Sequence, residues 1–367
     1  MKIAILGTRG IPNNYGGFEQ FAEYLSTELV RRGHHVSVYN SSHHIYQEDT
    51  YKGVQIIHKK DPENKIGTVG QFIYDLNCIL DARKRNFDII LNLGYTSSSI
   101  WGRLFPKKSI VITNMDGLEW KRTKFNKKVQ KFLLYAEKLA IKHSDFLIAD
   151  SLGIQTYLKE KHGINSTYIA YGAIPFQNPK QEVLEEFNLS PFNYNLLIAR
   201  IEPENNIEVI LDGITNSNID IKTYVIGNAN NKFGTYLQGK YKDESRIVFL
   251  GSIYHLEKLN NLRYFSKYYF HGHSVGGTNP SLLEAMACKC LIVAHNNEFN
   301  GSILENDAIY FTNANDIKTI VQSDVSNKAN LFKDNNFTKI KNLFSWEKII
   351  QEYEGFMLNI LKNKTNE

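Results

Sequence analysis

Glu284 is the one carboxylate in the apolar stretch PSLLEAMA, and the approach to it, HGHSVGGTN, is rich in Gly, Ser, Thr and Asn. Small residues let backbone close on a ligand. The first N–H groups of a helix carry partial positive charge and favour an anion. Asn279, Ser281 and Leu282 stand at that start, and Pro280 suits the first turn. An unpaired buried charge is costly, so Glu284 needs a partner. That partner is a ligand or, through a capping box, Ser281.

Further groups suit the same chemistry. In GTRGIPNNYGGFEQF (7–21), Gly16 and Gly17 open a helix and Arg9 adds a full positive charge. The spacing is not that of a dinucleotide-cofactor loop. In ARIEPENNIEVIL (199–211), Arg200 stands where a strand passes into a loop. A guanidinium fork matches a diphosphate, and a pair with Glu202 or Glu204 is the structural alternative. Asp116 and Glu119 follow the strand SIVITNM and suit contact with hydroxyls. His271 and His273 end another strand, either as hydrogen-bond donors or as structural groups. No two aspartates lie two residues apart, so no metal is expected and none is needed as cofactor. Phosphate charge then falls to Arg200, backbone N–H groups and helix dipoles.

Alternating elements must hold these groups. Strand candidates are 2–7, 34–40, 54–60, 88–94, 109–115, 145–151 and 167–172, then 195–200, 221–228, 246–252, 268–274, 290–295 and 308–311. Between the first two, Phe18, Phe21, Ala22, Leu25 and Leu29 recur at helical spacing, and Gly33 marks the stop. Strand–helix alternation of this kind implies parallel sheets with helices on both faces. The predicted architecture is α/β, two doubly wound Rossmann-like domains facing across a cleft. Residues 1–175 form the first, 176–345 the second, and the helix in 346–367 packs back toward the first.

A chain of 367 residues suits two cores. Hydrophobic residues at 42% and charged residues at 22% suit a soluble protein, and no apolar run is long enough for a membrane span. The opening MKIAILGTRGIP reads as a buried strand rather than an export signal. Cys78, Cys288 and Cys290 form no ligand cluster, which fits a reducing cytoplasm. Charge is uneven. Residues 1–175 hold 24 Lys or Arg against 16 Asp or Glu, net +8, and the remainder is net −3. The first half therefore suits an anionic partner.

The glycine loop, the Arg200 loop, the PSLLEAMA helix and the terminal FSWEKI helix together resemble the GT-B glycosyltransferases of family four. The resemblance spans essentially the whole chain. It implies that Arg200 binds the donor diphosphate, that Glu284 binds the nucleotide's sugar ring, and that Gly16 and Gly17 meet the distal phosphate. It also implies transfer with retained anomeric configuration. Two positions depart from the family pattern. Asn205 stands where a lysine is usual, and Gly276 stands where a glutamate is usual. The wording GTRGIPxxYGGFE, NMDGLEWKR, ARIEPENN and HGHSVGGTNPSLLEAM resembles the bacterial rhamnosyltransferase branch, which uses dTDP-L-rhamnose in surface-polysaccharide synthesis. There both departures are normal.

Residues 120–142 carry eight Lys or Arg and one acid, Glu137. Lys127, Lys131, Lys138 and Lys142 share one helical face; Val129, Phe132, Leu133, Ala136, Leu139 and Ala140 share another. This predicts an amphipathic helix against anionic lipid, or a packed helix with a solvated lysine face. No nucleic-acid motif accompanies the charge. The expectation is a peripheral enzyme on the inner face of the cell membrane. It moves L-rhamnose onto a lipid-diphosphate-linked saccharide. A UDP- or GDP-hexose donor, a nucleotide-sugar 2-epimerase and a non-catalytic sensor are the alternatives. Arg200→Ala and Glu284→Ala are each expected to abolish transfer with the fold intact.

Overall fold

The computed structural model describes residues 1–115, 117–122 and 125–365. Asp116 lies outside them. Contacts divide the chain into two compact units. The first comprises Met1–Lys121, Phe125–Tyr171 and Trp346–Glu367; the second comprises Arg122–Lys124 and Gly172–Ser345.

The strands of the first unit are β1 (Lys2–Leu6), β2 (His35–Ser41), β3 (Thr50–Tyr51), β4 (Val54–Lys59), β5 (Ile89–Leu93), β6 (Ile110–Asn114), β7 (Phe146–Ala149) and β8 (Thr167–Tyr168). They lie in the order β3-β4-β2-β1-β5-β6-β7-β8. All pairs are parallel except β3 with β4. Ile3, Ala4, Ile5 and Ile89–Leu91 are fully buried. A sheet covered on both faces needs such unbroken apolar runs. Its helices are α1 (Gly17–Arg31), α2 (Glu63–Ile66), α3 (Val69–Ala82), α4 (Lys127–His143) and α5 (Leu152–His162).

The second unit holds β9 (Tyr194–Ile198), β10 (Lys222–Ile226), β11 (Ile247–Gly251), β12 (Tyr269–His271), β13 (Ile292–His295) and β14 (Ile309–Phe311), in the order β11-β10-β9-β12-β13-β14. All its pairs are parallel. Its helices are α6 (Ile207–Thr215), α7 (Lys232–Lys240), α8 (Leu256–Tyr264), α9 (Pro280–Ala287), α10 (Glu298–Leu304), α11 (Ala314–Gln322) and α12 (Ser326–Asn342). The last helix, α13 (Trp346–Thr365), belongs to the first unit. Its Trp346 stacks on Tyr24 of α1 at 4.6 Å between ring centres, and Tyr353 meets Phe21 at 5.0 Å.

The α/β class and both doubly wound sheets match the strand–helix rhythm of the sequence. Two details differ. The run 167–172 contributes only Thr167 and Tyr168 as paired residues, and the last bond to β7 is from the Ile169 N–H to the Ala149 carbonyl at 3.0 Å. The short antiparallel β3 has too few residues to show a period.

Each sheet reverses its winding once, between β1 and β5 in the first and between β9 and β12 in the second. Such reversals open a crevice at the carboxyl ends of the strands. At the first, Gly7 has φ +85°, and a Cβ there would fall 2.1 Å from the Leu93 carbonyl oxygen. At the second, a Cβ on Gly272 would fall 2.0 Å from the Asn205 carbonyl oxygen. Both glycines let the loops leaving neighbouring strands touch.

Candidate active site

In the second unit, β9 delivers Arg200 and β12 delivers His271 and His273 to the same end of the sheet. Their loops are tied together. Asn205 Nδ2 donates to the Arg200 carbonyl at 2.7 Å, and Asn205 Oδ1 lies 2.9 Å from His273 Nδ1. Asn206 Nδ2 donates to the Gly272 carbonyl at 2.7 Å. Ser274 donates through both N–H and Oγ to the Glu204 carbonyl, and Asn297 and Asn300 both donate to the His273 carbonyl. Asn205, which stands in place of the usual lysine, is therefore a buried cross-link. It fixes the backbone that carries Arg200.

The Arg200 side chain is exposed, and among the described residues it makes no ion pair. Glu204 does not neutralise it. That carboxylate is buried and faces Arg122, with Nη1 to Oε1 at 3.5 Å. The result is a guanidinium available to an anion, on a loop with a fixed backbone.

His271 and His273 are buried. Burial lowers the pKa of His271 to about 3. Burial, then His271, Arg122 and Arg200, holds His273 well below the usual histidine range. Both rings are neutral at physiological pH. Among the described residues, His271 Nε2 has no hydrogen-bond partner. A consequence for stability follows from the lowered pKa. The unfolded chain takes up a proton on His271 near pH 6.5 and the folded chain does not until about pH 3. This contribution is fully present above 6.5 and is lost as pH falls toward 3. Urea midpoints measured from pH 7 to pH 4 should fall less steeply in His271→Asn than in the native chain.

Helix α9 is capped by Asn279, whose Oδ1 accepts the Ser281 N–H at 2.9 Å. The Leu282 N–H bonds the Asn279 carbonyl at 3.0 Å. Both N–H groups, expected to face a ligand, have partners within the chain. The capping-box alternative for Glu284 is not realised. Its partner is Arg263 of α8, whose Nη2 donates to Oε2 at 2.5 Å. The Arg263 side chain is 2% exposed and that of Glu284 is 21% exposed. Arg263 also donates to Asn260 Oδ1 at 3.0 Å, and Ser281 Oγ pairs with Tyr269 Oη at 2.7 Å. Burial alone would lower the Arg263 pKa; attraction to Glu284 outweighs it, and the guanidinium stays charged. So Glu284 is held from its buried side while part of it stays accessible. Sequence reasoning missed Arg263, although the demand for a counter-charge to Glu284 was legible.

In the first unit, Gly16 caps α1 in extended conformation with no side-chain cap, and Gly17 is the first helical residue. The first turn carries the buried Glu19, whose Oε1 accepts the Arg9 N–H at 2.8 Å. The Arg9 guanidinium does not stand alone. It grips Glu63 through Nη2 at 2.7 Å and lies 3.9 Å over the Tyr15 ring. Glu119 sits half-buried on a short 3₁₀ turn after β6.

Helix α4 corrects one expectation. Leu133, Ala136 and Ala140 of its apolar stripe are buried within the first unit, Phe132 and Leu139 are half-buried, and only Val129 at its start is exposed, so most of that stripe packs into the unit rather than facing lipid. Glu137 is buried with them, 2.8 Å from both Tyr157 Oη and His162 Nε2. Lys127, Lys131, Lys138 and Lys142 remain exposed on the outer face.

Comparison with known proteins places this geometry. Residues 180–328 match the model for glycosyl transferases group 1, and residues 1–174 match that of a domain of unknown function, DUF1972. Comparison with curated proteins by sequence gives no match. Sucrose-phosphate synthase from Thermosynechococcus elongatus is similar in structure, with TM-score 0.82 and 16% identity over 99% of both chains. Anabaena HepE, in complex with UDP and glucose, gives TM-score 0.77 and 14% identity over 97% of this chain and 98% of that one. A trehalose 6-phosphate synthase from Burkholderia multivorans gives 0.75 and 10% over 99% and 97%. At such identities the likeness establishes the fold, which is that of the GT-B glycosyltransferases. The match to glycosyl transferases group 1 is carried by residues 180–328, within the second unit.

Proposed function

We propose that the chain transfers L-rhamnose from dTDP-L-rhamnose to a lipid-diphosphate-linked saccharide, with retention, in bacterial polysaccharide synthesis. The observation that carries the donor half is Arg200: an exposed guanidinium that, among the described residues, has no ion pair, at the winding reversal of the second sheet. As the sugar turns oxocarbenium-like, charge grows on the departing diphosphate. Arg200 is set to stabilise it, and a preorganised cation needs no rearrangement to do so. Glu284 accepts from hydroxyl groups of the nucleotide's sugar ring, in an orientation set by Arg263. The departing phosphate oxygen takes the acceptor proton. The reading needs no metal. Gly16, Gly17 and the donor group Asn279 are assigned to the donor, and Arg9, Asp116 and Glu119 to the acceptor. In this reading Arg9 must open its pair with Glu63 or act through Tyr15. The lysine face of α4 meets anionic lipid on the cytoplasmic side.

A UDP-hexose donor is the second reading, favoured by the Anabaena HepE complexes with UDP and UDP-glucose. Product analysis separates the readings. The protein is incubated with dTDP-rhamnose, UDP-glucose and GDP-mannose, each with and without a lipid-diphosphate saccharide. Transfer from dTDP-rhamnose only when acceptor is present is the expected result. Transfer from UDP-glucose alone would select the second reading. Altered donor without acceptor would make the protein an epimerase.

A further inference from the structure

With Leu133, Ala136 and Ala140 packed inward, α4 offers lipid its lysines and, in its first turn, the exposed Val129. Most of the apolar part of a membrane contact has to come from elsewhere in the first unit. Residues 64–69, joining α2 to α3, are all exposed. Ile66 is 49% exposed, Val69 60%, and Ile73, one turn further along α3, 39%.

This tip lies beside the start of α4. Helix α3 joins β4 to β5 and α4 joins β6 to β7, and all four strands are parallel through the sheet. The two helices therefore run in the same direction, with their N-termini at the carboxyl ends of the strands. Their Phe72 and Phe132 rings meet at 5.8 Å. One turn toward the N-terminus from each ring stand Val69 and Val129, both exposed. Lys65, Lys127, Lys128 and Lys131 surround them, all exposed and, among the described residues, without ion pairs. The one acid of α4, Glu137, is turned inward.

We propose that this rim, Ile66, Val69, Ile73 and Val129 within its lysines, inserts into the interface of an anionic bilayer. It extends the membrane part of the reading above and rests on it. Charge chooses the occupant. A second copy would set lysines against lysines, whereas anionic headgroups complement them. Apolar side chains inside a polybasic patch supply the two contributions that stable peripheral binding requires. The rim also lies at the end of the sheet where Arg9 and Gly16 sit, which brings that end to the lipid surface.

The test uses the full chain and does not depend on turnover. Cys78, Cys288 and Cys290 are all buried, so Val69→Cys takes a polarity-sensitive fluorophore selectively. Vesicles of phosphatidylglycerol with phosphatidylcholine should shift its emission to the blue, and phosphatidylcholine alone should not. Ile66→Ser with Val69→Ser should weaken sedimentation with the anionic vesicles about tenfold or more. Emission that stays unchanged while the protein sediments with vesicles would overturn the insertion and leave a lysine-only contact. No sedimentation of the native chain would overturn both. A shift that grows with protein concentration in the absence of lipid would assign the rim to a second copy.

Discussion

Glu284→Ala is expected to destabilise the second unit by about 3–5 kcal/mol, because it leaves the guanidinium of Arg263 buried and uncompensated. Arg263 is 2% exposed, so its charge relies on partners within the chain rather than on bulk water. This revises the expectation that the variant would keep its fold intact. Loss of transfer in Glu284→Ala is therefore ambiguous taken alone. Two further variants resolve it. Adding Arg263→Met should recover part of the stability, since it removes the buried charge that Glu284→Ala leaves uncompensated. Transfer should stay lost in that double variant. Glu284→Gln keeps an acceptor oxygen for Arg263 and should lose less stability than alanine. Urea melts of these chains, with Arg263→Met alone added, complete the cycle that measures the coupling. A Glu284→Ala midpoint equal to that of the native chain would remove the ion pair from the account.

Arg200→Ala should behave in the opposite way. Its side chain is exposed and, among the described residues, makes no ion pair, so the urea midpoint should not move. Turnover should fall by about 10²–10³, the usual loss when one preorganised donor to a developing charge is removed. Arg200→Lys keeps the charge but not the fork, and should recover only part of the loss. The two positions thus separate cleanly. On this proposal Glu284 couples stability to the site, whereas Arg200 acts in the site alone. Near-native turnover in Arg200→Ala would end its assignment to the leaving group.

Much of this was legible in the residues because parallel strands buried on both faces must be continuously apolar. Runs such as IAIL and IILNL announce themselves, and the loops at their carboxyl ends can be located by counting. Arg200 and His271 were found in that way. What stayed hidden depends on side chains meeting across long separations. Arg263 lies 21 residues before Glu284 and sits in a polar-looking helix, LEKLNNLRY, with nothing local to mark it as buried. Asn279 was legible as a residue near the site but not as a cap that uses the Ser281 N–H. The amphipathic pattern of α4 was correct, yet a pattern does not say what covers the apolar side. The unit's own interior covers most of it, and the exposed Val129 at its start adjoins further exposed apolar residues on the α2–α3 tip. There the spacing of Ile66, Val69 and Ile73 spans a helix break and shows no single period.

The central claim is that Arg200 grips a nucleoside diphosphate on the second unit. Calorimetric titration of the native chain and Arg200→Ala with dTDP, UDP and GDP tests it most directly. The account predicts that dTDP binds the native chain best and that Arg200→Ala weakens this binding about tenfold or more, the loss of one charge-assisted contact. Equal affinity in the two chains, or no binding of any of the three nucleotides to the native chain, would contradict it.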